Sequence, residues 1–360
     1  MDSLFPLNLP SPTIWYTVLY LVTLLLHVVF MSYVLAGSIM LGVAGLRGML
    51  GLTPRASAWA PVTKVLKDWM PFALSAAITA GIAPLLFVQI LYQREFYTAN
   101  LLSFHRWMAI LPVLIVAFYL LYLLKAHRIE GRTAVQGIVA MLVMACVLFV
   151  AWSWVENHLL SMDRAAWPSQ YESGSMLYAN PMIFPRLGLW IAAAFPVAAT
   201  LLLWQLRARA SSTEPGAAAG AARSLGLLGL AWTLVAAIAA WPVLVSSAPN
   251  AGADMSRWLI VAEGGAVLAV LAWMGVAARR SASPLLLSTA SAGCGVMWIG
   301  IVVAREAARW STLGGPAIIE RHARVGTLEG FIVFLVFAVL GIAAVAWIIR
   351  CVSKEVRRPS

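Results

Sequence analysis

The stretch Leu25-Leu26-His27-Val28-Val29-Phe30-Met31-Ser32-Tyr33-Val34-Leu35-Ala36-Gly37-Ser38 decides how the rest of the chain is read. It lies inside an apolar run from Ile14 to Leu46. A helix of about 20 apolar residues, rising about 1.5 Å per residue, already crosses a bilayer. The run therefore spans with residues to spare, and His27 falls near its middle. An imidazole at that depth needs a metal, a haem iron, a carboxylate or a backbone carbonyl as partner, and it is the first candidate metal ligand. Packing glue against a neighbouring helix is the competing reading.

Composition agrees with the run. The 360 residues are 62% hydrophobic and only 11% charged, far more apolar than a soluble domain. An all-α polytopic membrane bundle is the expected fold. Nine spans are expected, at roughly 14–40, 70–92, 107–124, 133–155, 187–206, 225–247, 258–278, 285–304 and 326–349. If the basic tail with Arg350, Lys354, Arg357 and Arg358 is cytoplasmic, sixteen Lys and Arg fall inside and nine outside. That bias sets the N-terminus outside and the C-terminus inside. The net charge of +11 follows from this asymmetry and from anionic lipid at the inner face, and it gives no support to nucleic-acid binding.

The expected organisation is an N-terminal five-helix half over 1–206, a flexible cytoplasmic linker over 207–224, a four-helix half over 225–349 and a basic tail over 350–360. Leu50 to Asp68 reads as a short amphipathic helix in the cytoplasmic interface. The outer connection from Glu156 to Arg186, rich in Trp, Tyr and Pro, is long enough to suggest partner docking. Cys146, Cys294 and Cys351 lie far apart and form neither a disulfide framework nor a covalent haem motif, so any c-type haem belongs to a partner. The opening Met-Asp-Ser-Leu-Phe-Pro-Leu has no basic n-region, so the first helix is expected to be retained.

Polar residues gather at the outer boundary. His105, His158 and His322 fall there, among Glu95, Arg106, Glu156, Arg305, Glu306, Arg309, Glu320 and Glu329. Glu263 is expected just inside the seventh span at a depth similar to Glu329. Carboxylates at such depth are costly unless protonated or paired, so an outward-facing polar pocket for quinol oxidation, haem propionates or proton release is one reading. Interfacial ion pairs are the other. In the second span Pro84 is expected to break the helix, Gly81 to admit a flat ring or another helix, and Gln89 to be the polar residue of interest. Met144, Met274 or Met297 are candidate second axial ligands for a haem on His27.

The first helix, with a mid-span His before a small-residue patch, resembles the first helix of the quinol-oxidising subunit I of cytochrome bd oxidases. The segment Trp298-Ile-Gly-Ile-Val-Val-Ala-Arg305-Glu306-Ala-Ala-Arg309-Trp310 is similar to that family's Trp-Ile…Gly-Arg-x-Pro-Trp stretch. The resemblance implies His27 as a haem b ligand and a quinone as substrate. The chain departs from the family in its short connection from Ser246 to Arg257, where the quinol-binding insertion would stand, and in lacking a second deep His. A reduced relative is therefore expected: an inner-membrane subunit of a bacterial respiratory complex, passing electrons between the quinone pool and a periplasmic c-type cytochrome, beside other membrane subunits. His27 and Gln89 would contact cofactor, Arg305 and Arg309 would hold propionates or developing charge, and Glu263, Glu329 and His322 would carry protons. A cofactor-free docking scaffold and a transporter or channel are the alternatives.

Overall fold

The computed structural model describes residues 11–52, 58–126, 129–209, 215–247, 252–315 and 318–320, with scattered positions between 332 and 350. Among the described residues there is no strand, and eight helices are long and apolar enough to cross a membrane. The chain is an all-α multi-pass membrane protein. The expected ninth span, with His322 and Glu329, lies for the most part outside the described residues.

The helices are α1 (Ser11–Met49), α2 (Ala60–Leu91), α3 (Gln93–Leu102), α4 (Phe104–Lys125), α5 (Thr133–Met162), α6 (Trp167–Ser173), α7 (Ile183–Ala208), α8 (Pro215–Ser247), α9 (Gly252–Arg279) and α10 (Pro284–Leu313). Residues Leu19 to Gly314 form one compact unit, and the two chain ends, Met1–Val18 and Gly315–Ser360, form another.

Several helices overrun their expected bounds. The segment read as a separate interfacial helix is instead, from Ala60 on, the opening turns of α2, with Pro61 suited to the first turn. Helix α8 begins at Pro215, inside the expected linker, because the Ala-rich stretch Ala217 to Ala222 favours helix once Pro215 starts it. Helix α2 is not broken at Pro84; it runs continuously through both Pro71 and Pro84, as bundle helices do when neighbours satisfy the freed carbonyls. The outer connection is shorter than expected, since α5 continues to Met162 and α7 starts at Ile183. A 3-10 turn at Arg164–Ala166 and the short α6 occupy much of it.

Small residues set the helix spacing. A Cβ on Gly293 would stand 2.5 Å from the Ala269 amide nitrogen, and Gly265 and Gly300 press equally closely on Met297 and Ala262. The α9 and α10 backbones therefore touch along most of their length, which is how helices gain dispersion energy where lipid removes the hydrophobic drive. Gly45 and Gly137 do the same for α1 and α5. Level with the site described next, Leu189, Ala240, Leu244, Met255, Leu259, Ala304 and Ala308 form a buried apolar cluster from α7, α8, α9 and α10.

Candidate functional site

The alternating directions of the spans bring Tyr20 of α1, the end of α2, the end of α5, the start of α7 and the end of α10 to one end of the bundle. That end also carries residues 163–182, and it is the outer end in the expected orientation. Helix α10 delivers Arg305, Glu306 and Arg309 there, 5–7% exposed. Arg305 and Arg309 share a face because they are four residues apart. Arg186, one turn into α7, is 2% exposed.

These charges are tied to one another. Arg305 Nη2 donates to the Tyr20 hydroxyl at 2.6 Å and to Glu306 Oε2 at 3.4 Å. Arg309 Nη1 reaches the same Tyr20 oxygen at 3.4 Å and pairs with Glu306 Oε2 at 3.6 Å. Its Nη2 donates to His158 Nδ1. The Tyr92 hydroxyl, between α2 and α3, donates to Glu306 Oε1. Burial first, and then the adjacent Glu306 carboxylate, pushes that hydroxyl well above the usual tyrosine range, so it remains the donor. The Arg309 guanidinium also lies 4.8 Å from the Tyr92 ring centroid. Trp190 and Trp298 form an aromatic wall, with centroids 5.3 Å apart, Arg305 over Trp190 at 5.8 Å, and Trp298 Nε1 donating to the Ala193 carbonyl at 3.0 Å.

A ring of contacts braces this end. Glu156, 1% exposed, accepts from Arg106 and, at 2.8 Å, from the Tyr178 amide. Asn157 donates to Asn100 at 2.7 Å, and Arg164 pairs with the buried Glu95 at 2.6 Å. Tyr178 donates to Asp163 at 2.6 Å while accepting from Asn180 at 2.8 Å. Burial, and then the bond to Asp163, raises the Tyr178 hydroxyl above the usual tyrosine range.

The sequence-predicted residues divide. Arg305 and Arg309 come together in the cluster. Gln89 does not join it: its contact is a 3.3 Å hydrogen bond from the exposed Tyr97 hydroxyl. Glu263 is eleven residues into α9, about 16 Å from Gly252 at helical rise. It is partly exposed, and among the described residues none gives it a hydrogen bond or ion pair. His322 and Glu329 lie outside the described residues. The functional residues that sequence reasoning missed are Tyr20 and Tyr92, indistinguishable there from interfacial aromatics, and His158, Arg186 and Glu306, seen at the outer boundary but not assigned to the site.

His27 is elsewhere, between α1 and α2. Its Nδ1 lies 2.9 Å from the Ala77 carbonyl and donates to it, and its ring edge lies 3.0 Å from where a Gly81 Cβ would stand. The space that Gly81 leaves is filled by the imidazole itself. Met144 packs on Gly42, fifteen residues along α1 or about 22 Å away; Met297 lies on the α9/α10 seam; Met274 is exposed. The residues at the α1/α2 contact do not fit a haem held there, and no group of three or more His, Cys, Asp or Glu is gathered for a metal among the described residues.

Chemically, the cluster can hold hydrogen-bond acceptors and negative charge against an aromatic wall inside the membrane. No family model matches the chain, and no curated protein matches it at a significant level.

Proposed function

We propose that the chain is a membrane subunit of a bacterial respiratory electron-transfer complex, in the inner membrane, whose Arg305–Glu306–Arg309 cluster receives a quinone head group. The observation that supports this is the burial of three arginines, a glutamate and a histidine within the spanning helices at one end. Such groups are rare in membrane helices and mark substrate, ion or proton routes. A quinone offers two carbonyl oxygens as acceptors and a flat ring for the Trp190–Trp298 wall. The Tyr92–Glu306 hydrogen bond provides an exchangeable proton beside it. Electrons would pass onward to a periplasmic c-type cytochrome. Tyr171, Met176 and Leu177, 79%, 61% and 52% exposed on the 163–182 segment, supply a docking patch for that partner.

The test is photolabelling of the purified complex with an azido-quinone, followed by peptide mapping. Label on the Arg186 or Arg305 peptide, displaced by excess quinone, is the expected result. Label spread over lipid-facing helices without displacement would overturn the proposal.

A further inference from the structure

The cluster is short of acceptors. Glu306 Oε1 is taken by Tyr92 and Oε2 is shared by Arg305 and Arg309. The Tyr20 oxygen takes both arginines. A guanidinium has no lone pair to offer, so His158 Nδ1 must be the acceptor of the Arg309 bond, and the hydrogen of the neutral ring resides on Nε2. Among the described residues that buried Nε2 finds no acceptor, and neither do Arg305 Nε and Arg309 Nε. Around them, among the described residues, the guanidinium groups of Arg305 and Arg309 share one carboxylate, Glu306. Buried donors left unmade cost about 1–3 kcal/mol each, and an unbalanced buried charge costs more. A group that accepts hydrogen bonds and carries negative charge relieves both.

Building on the quinone reading above, we propose that this site holds its ligand as an oxyanion, with His158 Nε2–H as a hydrogen-bond donor to the ionised oxygen and Arg305 and Arg309 as its charge partners. The ligand class is a membrane-soluble ring bearing an ionised oxygen, as in an acidic hydroxyquinone. His158 does not serve as the base that takes a proton from a neutral quinol, because its acceptor nitrogen is occupied by Arg309. It is a positioning and binding residue.

The probe is a 2-hydroxy-3-alkyl-1,4-naphthoquinone, ionised at neutral pH, set against its 2-methoxy ether, which has the same ring and cannot ionise. Binding to the purified chain in detergent is measured by equilibrium dialysis, corrected for micelle partition. The ionised probe should bind at least tenfold more tightly, and Arg305→Gln should bring the two within threefold. Because the probe pair in the wild-type chain decides the question, a variant that fails to fold leaves the test intact. Equal or tighter binding of the methoxy ether would overturn the oxyanion inference and leave the quinone reading standing. If neither naphthoquinone binds but dodecanoate does, with loss in Arg305→Gln, the quinone reading falls and the oxyanion site stands. Binding of none of the three would overturn both.

Discussion

Arg309 of α10 donates a guanidinium hydrogen to Nδ1 of His158 on α5, joining residues 151 positions apart in sequence and fixing which nitrogen of the imidazole carries its proton. The same arginine pairs with Glu306 one turn away. Removing either partner leaves different groups stranded. Arg309→Ala is expected to destabilise the chain by about 1–3 kcal/mol for the bonds it leaves unmade, since Glu306 keeps Arg305 as its charge partner. His158→Ala should cost about 1–3 kcal/mol for the donor it orphans. The double variant should cost less than the sum, by unfolding in mixed micelles; strict additivity would show that the two side chains are energetically independent.

His27 and Gly81 form a second coupled pair. Gly81→Ala places a methyl 3.0 Å from the imidazole and should destabilise by about 1–3 kcal/mol through overpacking. His27→Ala should cost about 1 kcal/mol for the lost bond to the Ala77 carbonyl, and in that background the added methyl should be tolerated. With His27 as a helix anchor, the reduced-minus-oxidised absorption spectra of wild type and His27→Ala should coincide. A b-type band lost in the variant would assign His27 to a haem instead.

The α9/α10 seam allows no side chain at its glycines. Gly300→Ala drives a methyl into the Ala262 backbone, which a helix cannot withdraw without separating the pair. Its effect should exceed the usual range for overpacking, about 1–3 kcal/mol, and lower the thermal midpoint more than Gly295→Ala, where the added methyl meets open space. Similar midpoints for the two variants would show that the seam is not closely packed.

Tyr178 predicts an alkaline limit for the outer segment. Its hydroxyl ionises at higher pH folded than unfolded, so the stability it contributes is fully present below about pH 10, the ordinary tyrosine value, and is lost as pH rises through its raised folded value. Proteolytic protection of 163–182 should decline above about pH 10 in the wild type. Tyr178→Phe should lose the bond to Asp163 at neutral pH and remove part of that alkaline decline. An unchanged pH profile in the variant would assign the decline to another group.

Glu263, partly exposed at mid-span without a partner among the described residues, is a liability for the isolated chain. Glu263→Gln should raise, or leave unaltered, its thermal midpoint in detergent, since the amide avoids the cost of a charge in hydrocarbon. A marked fall would reveal an ion pair made by the ionised carboxylate.

The spans were legible because an apolar run between charges has few solutions in lipid. Their ends were less so: α2 and α8 begin about ten residues before the expected spans, on helix-favouring turns at Ala60 and Pro215 that hydropathy discards. Arg305 and Arg309 were legible as charges just beyond the expected eighth span, where a polar pocket and interfacial ion pairs read alike; the structure joins them through Glu306 and Tyr20. Tyr20 and Tyr92 were not, because a tyrosine near a helix end reads as an interfacial anchor. Only the side-chain bonds that reach across from α10 make them the hydroxyls that Arg305 and Glu306 use. Glu263 does not join the cluster, because depth alone does not say which way a side chain faces.

The seam between α9 and α10 also bears on how the chain is made. On translocon-insertion scales an arginine at a helix centre costs about 2.5–3.5 kcal/mol, and α10 carries two near its end. A partner whose backbone it touches lets α10 enter lipid as half of a hairpin with α9. Tyr20, Tyr92 and His158 are all synthesised earlier, and each waits for α10 to complete its bonding. A nascent chain stopped before residue 305 would leave His158 and the Tyr20 and Tyr92 hydroxyls without the groups that α10 supplies, which makes such truncated products natural targets of membrane quality control.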